Sequence, residues 1–209
     1  MSCLDAVMLE VGDPQEARTF YDAAFGLGDR LRLRRADAPT EGFRGFTVSL
    51  VVGQPAIVDD VVAAALDAGA SSCKGVAKSF WGYGGVVAAP DGTIWKVATS
   101  AKRNSGEASR KIDEMVVLLG VDDVLASKRF YVEQGLKVAK SFGRKYVQFD
   151  TGSAPLTLAL YGRKALAKDA GVPEPGTGSH RLALIGDRGP LTDPDGFGWE
   201  AARAGATEA

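Results

Sequence analysis

Histidine is almost missing from this chain, cysteine is scarce, and neither sign of charge dominates. His180 is the single histidine, and Cys3 and Cys73 are the two cysteines. Two cysteines without a CxxC spacing exclude a disulfide framework, so both read as ordinary reduced thiols. A formal net charge of -1 and a pI near 5.9 give no basic field of the kind that draws a protein to phosphate backbones or anionic lipid. Nucleic acid and membrane partners are therefore not expected. The longest apolar runs, "VVAAAL" and "VVLLGV", fall far short of the roughly 20 residues that span a bilayer. The opening "MSCLDAVMLEVGD" has no basic stretch before its first acids, which is not a secretory signal, and a cytoplasmic location is the expectation. No GxGxxG opens a helix, and Walker, GxSxG and HExxH sequences are missing, so neither nucleotide binding nor those hydrolytic schemes are indicated.

What the chain does have is internal likeness. Its 209 residues, 45% apolar and 24% charged, suffice for one large or two small domains. "VGDPQEARTFYDAAFGL" (11–27) lines up with "VDDVLASKRFYVEQGL" (121–136), pairing Asp13 with Asp123 and Phe20-Tyr21 with Phe130-Tyr131. Each copy reads as an apolar, β-branched strand, then an acidic N-cap, then an amphipathic helix. In the first copy Asp13 caps, Pro14 takes N1 and Glu16 takes N3. A second likeness joins "PDGTIWKV" (90–97) to "PDGFGWEA" (194–201), each a tight turn followed by a strand with a tryptophan, Trp95 or Trp199. Lys96 stands in the first where Glu200 stands in the second.

The middles of the halves differ. Between strand-helix and PDG turn the first half reads as strand "FTVSLVV", helix "PAIVDDVVAAALDAG" and strand material "KGVAKSFWGYGGVVAA". The second reads as strands "KVAKSFG", "KYVQFD" and "LTLALYG", a short helix "RKALAKDAG", a Pro/Gly loop and a strand "HRLALIG". A hairpin is missing from the first half, and a helix and a strand from the second. The polar stretch 101–111 reads as a linker between units 1–100 and 112–203, with 204–209 as a tail.

The strand-D-helix-FYxxxxGL opening, present twice, and "WGYGGVVAAPDGTIWKV" together resemble the vicinal oxygen chelate superfamily, the glyoxalase, bleomycin-resistance and extradiol-dioxygenase type. "LTLALYGRKALAKDAGV" is similar to the segment such proteins carry between modules. The resemblance implies an α+β fold of paired βαβββ modules, whose curved mixed sheets enclose a cleft that holds either a divalent metal or, without metal, a drug or metabolite. It also implies metal-ligand positions on four strands: Ala6 and Val116 on the first, Ala159 on the fourth in the second half, Thr47 paired with His180 on the fifth, and Lys96 answering Glu200 on the eighth. Only His180 and Glu200 can donate, and Lys96 would repel a cation, so no metal or other cofactor is expected.

The candidate site residues follow. His180 and Glu200 are the catalytic candidates, His180 because it is the side chain suited to proton transfer near neutral pH. The plainer reading makes His180 a strand-edge residue bonded to backbone or water and Glu200 part of a solvated face. Phe80, Trp81 and Tyr83, flanked by glycines, either pack the sheet or line a cleft and stack on a flat ligand. Arg30, Arg32 and Arg34 share a strand face, as a solvated or edge-protecting stripe or as an anion site; Arg35 alternates away from them. The expected function is binding of a small apolar or aromatic molecule without metal, as sequestration or metal-free turnover. The alternatives are a metal-dependent lyase or dioxygenase using His180 and Glu200, and a non-enzymatic interaction scaffold. A monomer or homodimer is expected.

Overall fold

The computed structural model describes residues 4–80, 82–107, 109–177 and 181–202. Trp81 and His180, two of the candidate site residues, and Cys3 lie outside them. In chain order the elements are β1 (Leu4–Val11), α1 (Pro14–Ala24), β2 (Leu31–Arg35), β3 (Glu41–Gly42), β4 (Phe46–Val52), α2 (Pro55–Asp67), β5 (Ser71–Ser79), β6 (Gly82–Ala88) and β7 (Ile94–Thr99). There follow β8 (Ile112–Val121), α3 (Val124–Glu133), β9 (Lys137–Ser141), β10 (Tyr146–Asp150), β11 (Leu156–Gly162), α4 (Arg163–Ala170), β12 (Gly176–Thr177), β13 (Leu182–Gly186), β14 (Leu191–Thr192) and β15 (Gly198–Ala201). Among the described residues no helix is long and apolar enough to cross a membrane.

Local chemistry explains where the helices begin. Asp13 Oδ1 accepts from the amides of Gln15 and Glu16 at 2.8 and 3.1 Å, and Asp123 Oδ1 from Leu125 and Ala126 at 2.8 and 3.2 Å. Each carboxylate satisfies two amides of the opening turn that have no partner within the helix. The cap of α2 comes from elsewhere: Gln54 makes no side-chain cap, and Asn104 Oδ1 accepts from Ala56 N at 2.9 Å. The segment expected to be a bare linker thus closes a helix end.

Two sheets result. The larger has eight strands in the order β5-β6-β7-β4-β8-β11-β10-β9, and the smaller has five in the order β14-β15-β13-β1-β2. In the larger, β4-α2-β5-β6-β7 and β8-α3-β9-β10-β11 are two complete βαβββ modules, joined where β4 runs antiparallel to β8 and Val48 faces Val117. In each, the last strand lies parallel to the first, Trp95 opposite Val48 and Leu158 opposite Val117. The smaller sheet repeats this with parts removed. Leu184 faces Val7 across antiparallel β13 and β1, β15 lies parallel to β13, and β2 lies parallel to β1. β2 therefore occupies the place of a fourth strand, and the hairpin between it and α1 is what the first half lacks. The α+β class and paired βαβββ architecture expected from the sequence are those observed, and both sheets take strands from each half.

One continuous apolar core lies between the sheets, containing Val7, Leu9 and Leu184 from the smaller, Val48, Leu50, Val117 and Leu158 from the larger, and the buried faces of α1, α2 and α3. The Phe-Tyr pairs and tryptophans meet there: Tyr21 lies 5.3 Å from Trp95, and Tyr131 lies 6.1 Å from Trp199, ring centre to ring centre. Tyr21 donates to Asp91 of the first PDG turn at 2.8 Å, and Tyr131 donates to Asp193, beside the second, at 2.7 Å. An identical pentapeptide, Val-Ala-Lys-Ser-Phe, ends at Phe80 after β5 and at Phe142 after β9, the second strands of the complete modules. In both, the valine packs on the core and the phenylalanine is exposed.

Candidate functional site

Alternation along the strands decides what each sheet offers on the face away from the core. On the larger sheet the outward side chains form a row that crosses six strands: Lys74, Val86, Lys96, Ser49, Val116 and Thr157 stand in register. Val116 and Lys96 are in one row, as the resemblance implies, but the fifth-strand member is Ser49. Thr47 lies one pleat away opposite Leu118, and Ala159 sits in that neighbouring row. The equivalent row of the smaller sheet is Ala6, Ile185 and Glu200, and Ala183 is the counterpart of Thr47.

Helix α4 lies on this outward face. Leu166, Ala167 and Ala170 are buried against Phe43, Val86 and Ile94, with Leu118 and Tyr161 at the margin. The approach is close enough that a Cβ on Gly120 would stand 2.7 Å from Gly45 O and 3.2 Å from Arg163 Cα. Gly171, at φ +78, ends the helix in the left-handed conformation that glycine adopts without steric cost. Lys74 Nζ donates to the carbonyls of Lys168 and Asp169 at 2.9 and 2.6 Å, meeting the negative end of the helix with a cation. Lys96 Nζ donates to Asp169 Oδ2 at 2.7 Å. The ammonium that replaces a carboxylate in "PDGTIWKV" thus has a carboxylate brought to it by α4. With side chains 36% and 42% exposed, the pair is worth roughly 0–1 kcal/mol, so it positions more than it stabilises.

Beside this pair opens a cavity of about 340 Å³, with Gly84, Val86, Ala98 and Thr99 from β6 and β7, Lys74 and Ala77 from β5, and Asp169 from α4 among its lining. Its volume is within the range of small-ligand sites, and Gly84, Val86 and Ala98 give it an apolar floor, with three lysines, Lys74, Lys78 and Lys96, in the lining around them. Phe80 stands between the lining residues Ser79 and the strand start Gly82, 85% exposed. Tyr83 belongs to the same lining, although its side chain leaves the other face of β6: its hydroxyl donates to Asp59 of α2 at 2.8 Å, and its ring packs on the core. Proximity to Asp59, above all the hydrogen bond, pushes the Tyr83 hydroxyl pKa up.

The outward face of the smaller sheet is closed by charge. Arg34, on edge strand β2, donates to Glu10 Oε1 through Nη2 at 2.7 Å and to Glu200 Oε1 through Nη1 at 2.5 Å, and Arg181 donates to Glu10 Oε2 at 3.1 Å. β2 and β15 are three strand intervals apart, roughly 14 Å at the usual spacing, so their side chains meet by leaning over a concave surface. Burial would raise the Glu10 carboxyl, but the hydrogen bonds from Arg34 and Arg181 outweigh it and hold the pKa below the ordinary value of 4.5. Burial would likewise depress Arg34, and bonds to Glu200 and Glu10 raise it instead. Of the arginine stripe, Arg34 is an internal partner of two carboxylates, and Arg30 Nε donates to Leu27 O at 3.3 Å. Burial pushes the Cys73 thiol up, away from the thiolate a nucleophile needs.

The described residues do not fit a divalent ion on either sheet. The row through Lys96 offers two hydroxyls, two ammonium groups and no carboxylate or imidazole, and Glu200 of the other row already carries the Arg34 guanidinium. Among the described residues no three His, Cys, Asp or Glu side chains converge. Sequence reasoning missed Lys74, Asp169, Glu10 and Arg181. Lys74 and Asp169 are 95 residues apart and meet only because α4 returns to the sheet. Glu10 and Arg34 do carry a signal, opposite charges at outward positions of two parallel strands.

Compared by sequence, the chain matches no family model and no curated protein. Compared by structure, it is similar to glyoxalase I from Zea mays at 13% identity, covering 96% of this chain and 92% of that one with a TM-score of 0.66. It is also similar to a putative dioxygenase from Bacillus subtilis at 14% identity, covering 88% of this chain and 69% of that one with a TM-score of 0.56. These likenesses establish a shared fold, the one the sequence resemblance implied.

Proposed function

We propose that this chain is a member of the glyoxalase and bleomycin-resistance type that binds a small flat molecule, without metal, in the cleft between the eight-stranded sheet and α4. The observation that carries the proposal is the cavity itself, an apolar floor of Gly84, Val86 and Ala98 with one ion pair, Lys96 to Asp169, at its side. Such a surface gives a flat ring contact area and a single polar handle for orientation. Phe80, with Trp81 beside it in sequence, borders the entrance. Glu200 takes the role of partner to Arg34, and no proton-transfer step is assigned to it. A metal-dependent lyase built on His180 and Glu200 gains no support from the geometry, because Arg34 already compensates the Glu200 carboxylate.

Thermal-shift screening with flat aromatic compounds tests the proposal. A compound that raises the melting temperature is expected to lose most of its effect in Ala98→Phe, which fills the floor from a half-exposed position. An unchanged shift in that variant would place the ligand elsewhere. Nickel, zinc, manganese and iron(II) are expected to leave the melting temperature within about 1 °C; a saturable metal-dependent rise would restore the lyase reading.

A further inference from the structure

The charges around the cleft narrow the chemistry of its ligand. Three lysines line the cavity, Lys74, Lys78 and Lys96, and Asp169 is the carboxylate that answers Lys96. Lys74 is spent on the carbonyl oxygens that end α4. The Lys96–Asp169 pair is wet enough to exchange partners at little cost, since Asp169 can turn to solvent and remain hydrated. A ligand carboxylate arriving at Lys96 would make one ion pair as it breaks another, leaving the Lys96 ammonium paired. A cationic ligand would have to displace Lys96 from Asp169 with a second lysine nearby.

We propose that Asp169 is a placeholder, and that the ligand of this cleft is a flat molecule bearing one carboxylate, which takes the place of Asp169 on Lys96 while its ring lies on Gly84, Val86 and Ala98. This rests on the cleft-binding reading above and adds the charge of the ligand to it. Lys96 is then the specificity-determining residue, and Asp169 a competitor tethered to the same site. Helix α4 fixes the competitor's position from both ends, through Leu166 and Ala167 on the sheet and Lys74 at its last carbonyls.

Titrating the full chain with 2-naphthoate and its neutral isostere 2-naphthamide, followed by backbone amide shifts, tests this. Naphthoate is expected to bind about tenfold more tightly, the usual advantage of a charge-assisted contact. Lys96→Met is expected to bring the two affinities together, and Asp169→Asn to tighten naphthoate about threefold without altering naphthamide. Lys128→Met, which removes the same charge from α3, is expected to change neither. Equal wild-type affinities, or naphthoate binding indifferent to Lys96→Met, would overturn the placeholder while leaving cleft binding standing. Naphthoate binding unmoved by Asp169→Asn would overturn it too, and that variant serves alone should Lys96→Met fail to fold. Failure of both probes to shift Gly84, Val86 and Ala98 would overturn the cleft reading along with it.

Discussion

Arg44 shows how one buried charge ties distant segments together. Its side chain is 2% exposed, Nη2 donates to Thr93 Oγ1, and Asp91, itself 9% exposed, lies 3.7 Å away while accepting from Tyr21. Burial lowers the Arg44 pKa, and Asp91 opposes that. Asp91→Ala would leave the guanidinium without its counter-charge, and the expected loss is about 3 kcal/mol in urea denaturation, well above an ordinary surface substitution. Glu10 governs acid behaviour on the other sheet. Its folded pKa lies below 4.5, so its stabilising share is present above the unfolded value and is lost as pH falls through the folded one. Arg34→Met, which removes its first partner, is expected to weaken the fall in stability between about pH 5 and pH 3; an unchanged acid limb would show that Arg181 suffices. Asp193 works in the opposite sense, since burial raises its pKa above 3.8 and favours the folded state at low pH.

Helix α4 is the element whose place matters most for the cleft. Alone, "RKALAKDA" is too short to be stable in water, and its position comes from packing Leu166, Ala167 and Ala170 on the sheet. Gly120 leaves room for that packing, so Gly120→Val is expected to cost roughly 1–3 kcal/mol by overpacking and to lift α4 from β8. Amide hydrogen exchange would read this directly, as faster exchange across 163–170 than in α2. Existence and type of the helix were legible from its pattern and glycine stop. Its docking was not, because a glycine in a strand is silent about what rests upon it. The arginine stripe behaved similarly: alternation placed Arg32 and Arg34 on one face of β2, but Arg30, expected with them, lies in a 3-10 turn that precedes the strand, and the carboxylates that Arg34 meets come from β1 and β15.

At the scale of the molecule, strand pairing across the halves makes each half depend on the other. β4 pairs with β8 and β1 with β13, and the core runs through both sheets. A site-specific protease cut introduced between Gly106 and Glu107 is therefore expected to leave a folded species whose two fragments co-elute in size-exclusion chromatography. Separation of the fragments without denaturant would contradict interlocked sheets. The sequence by itself determined the caps, the strand alternation, the paired PDG turns and hence the fold class, because each is written in residues a few positions apart. It also determined that Lys96 and Glu200 are counterparts with opposite charge. Only the tertiary structure decided what they do, Lys96 held by Asp169 and Glu200 by Arg34, because those partners lie 73 and 166 residues away and are brought in by a returning helix and a curved sheet. It likewise turned Tyr83 toward α2, since which face of a strand meets the core is settled by packing against helices that no local pattern names.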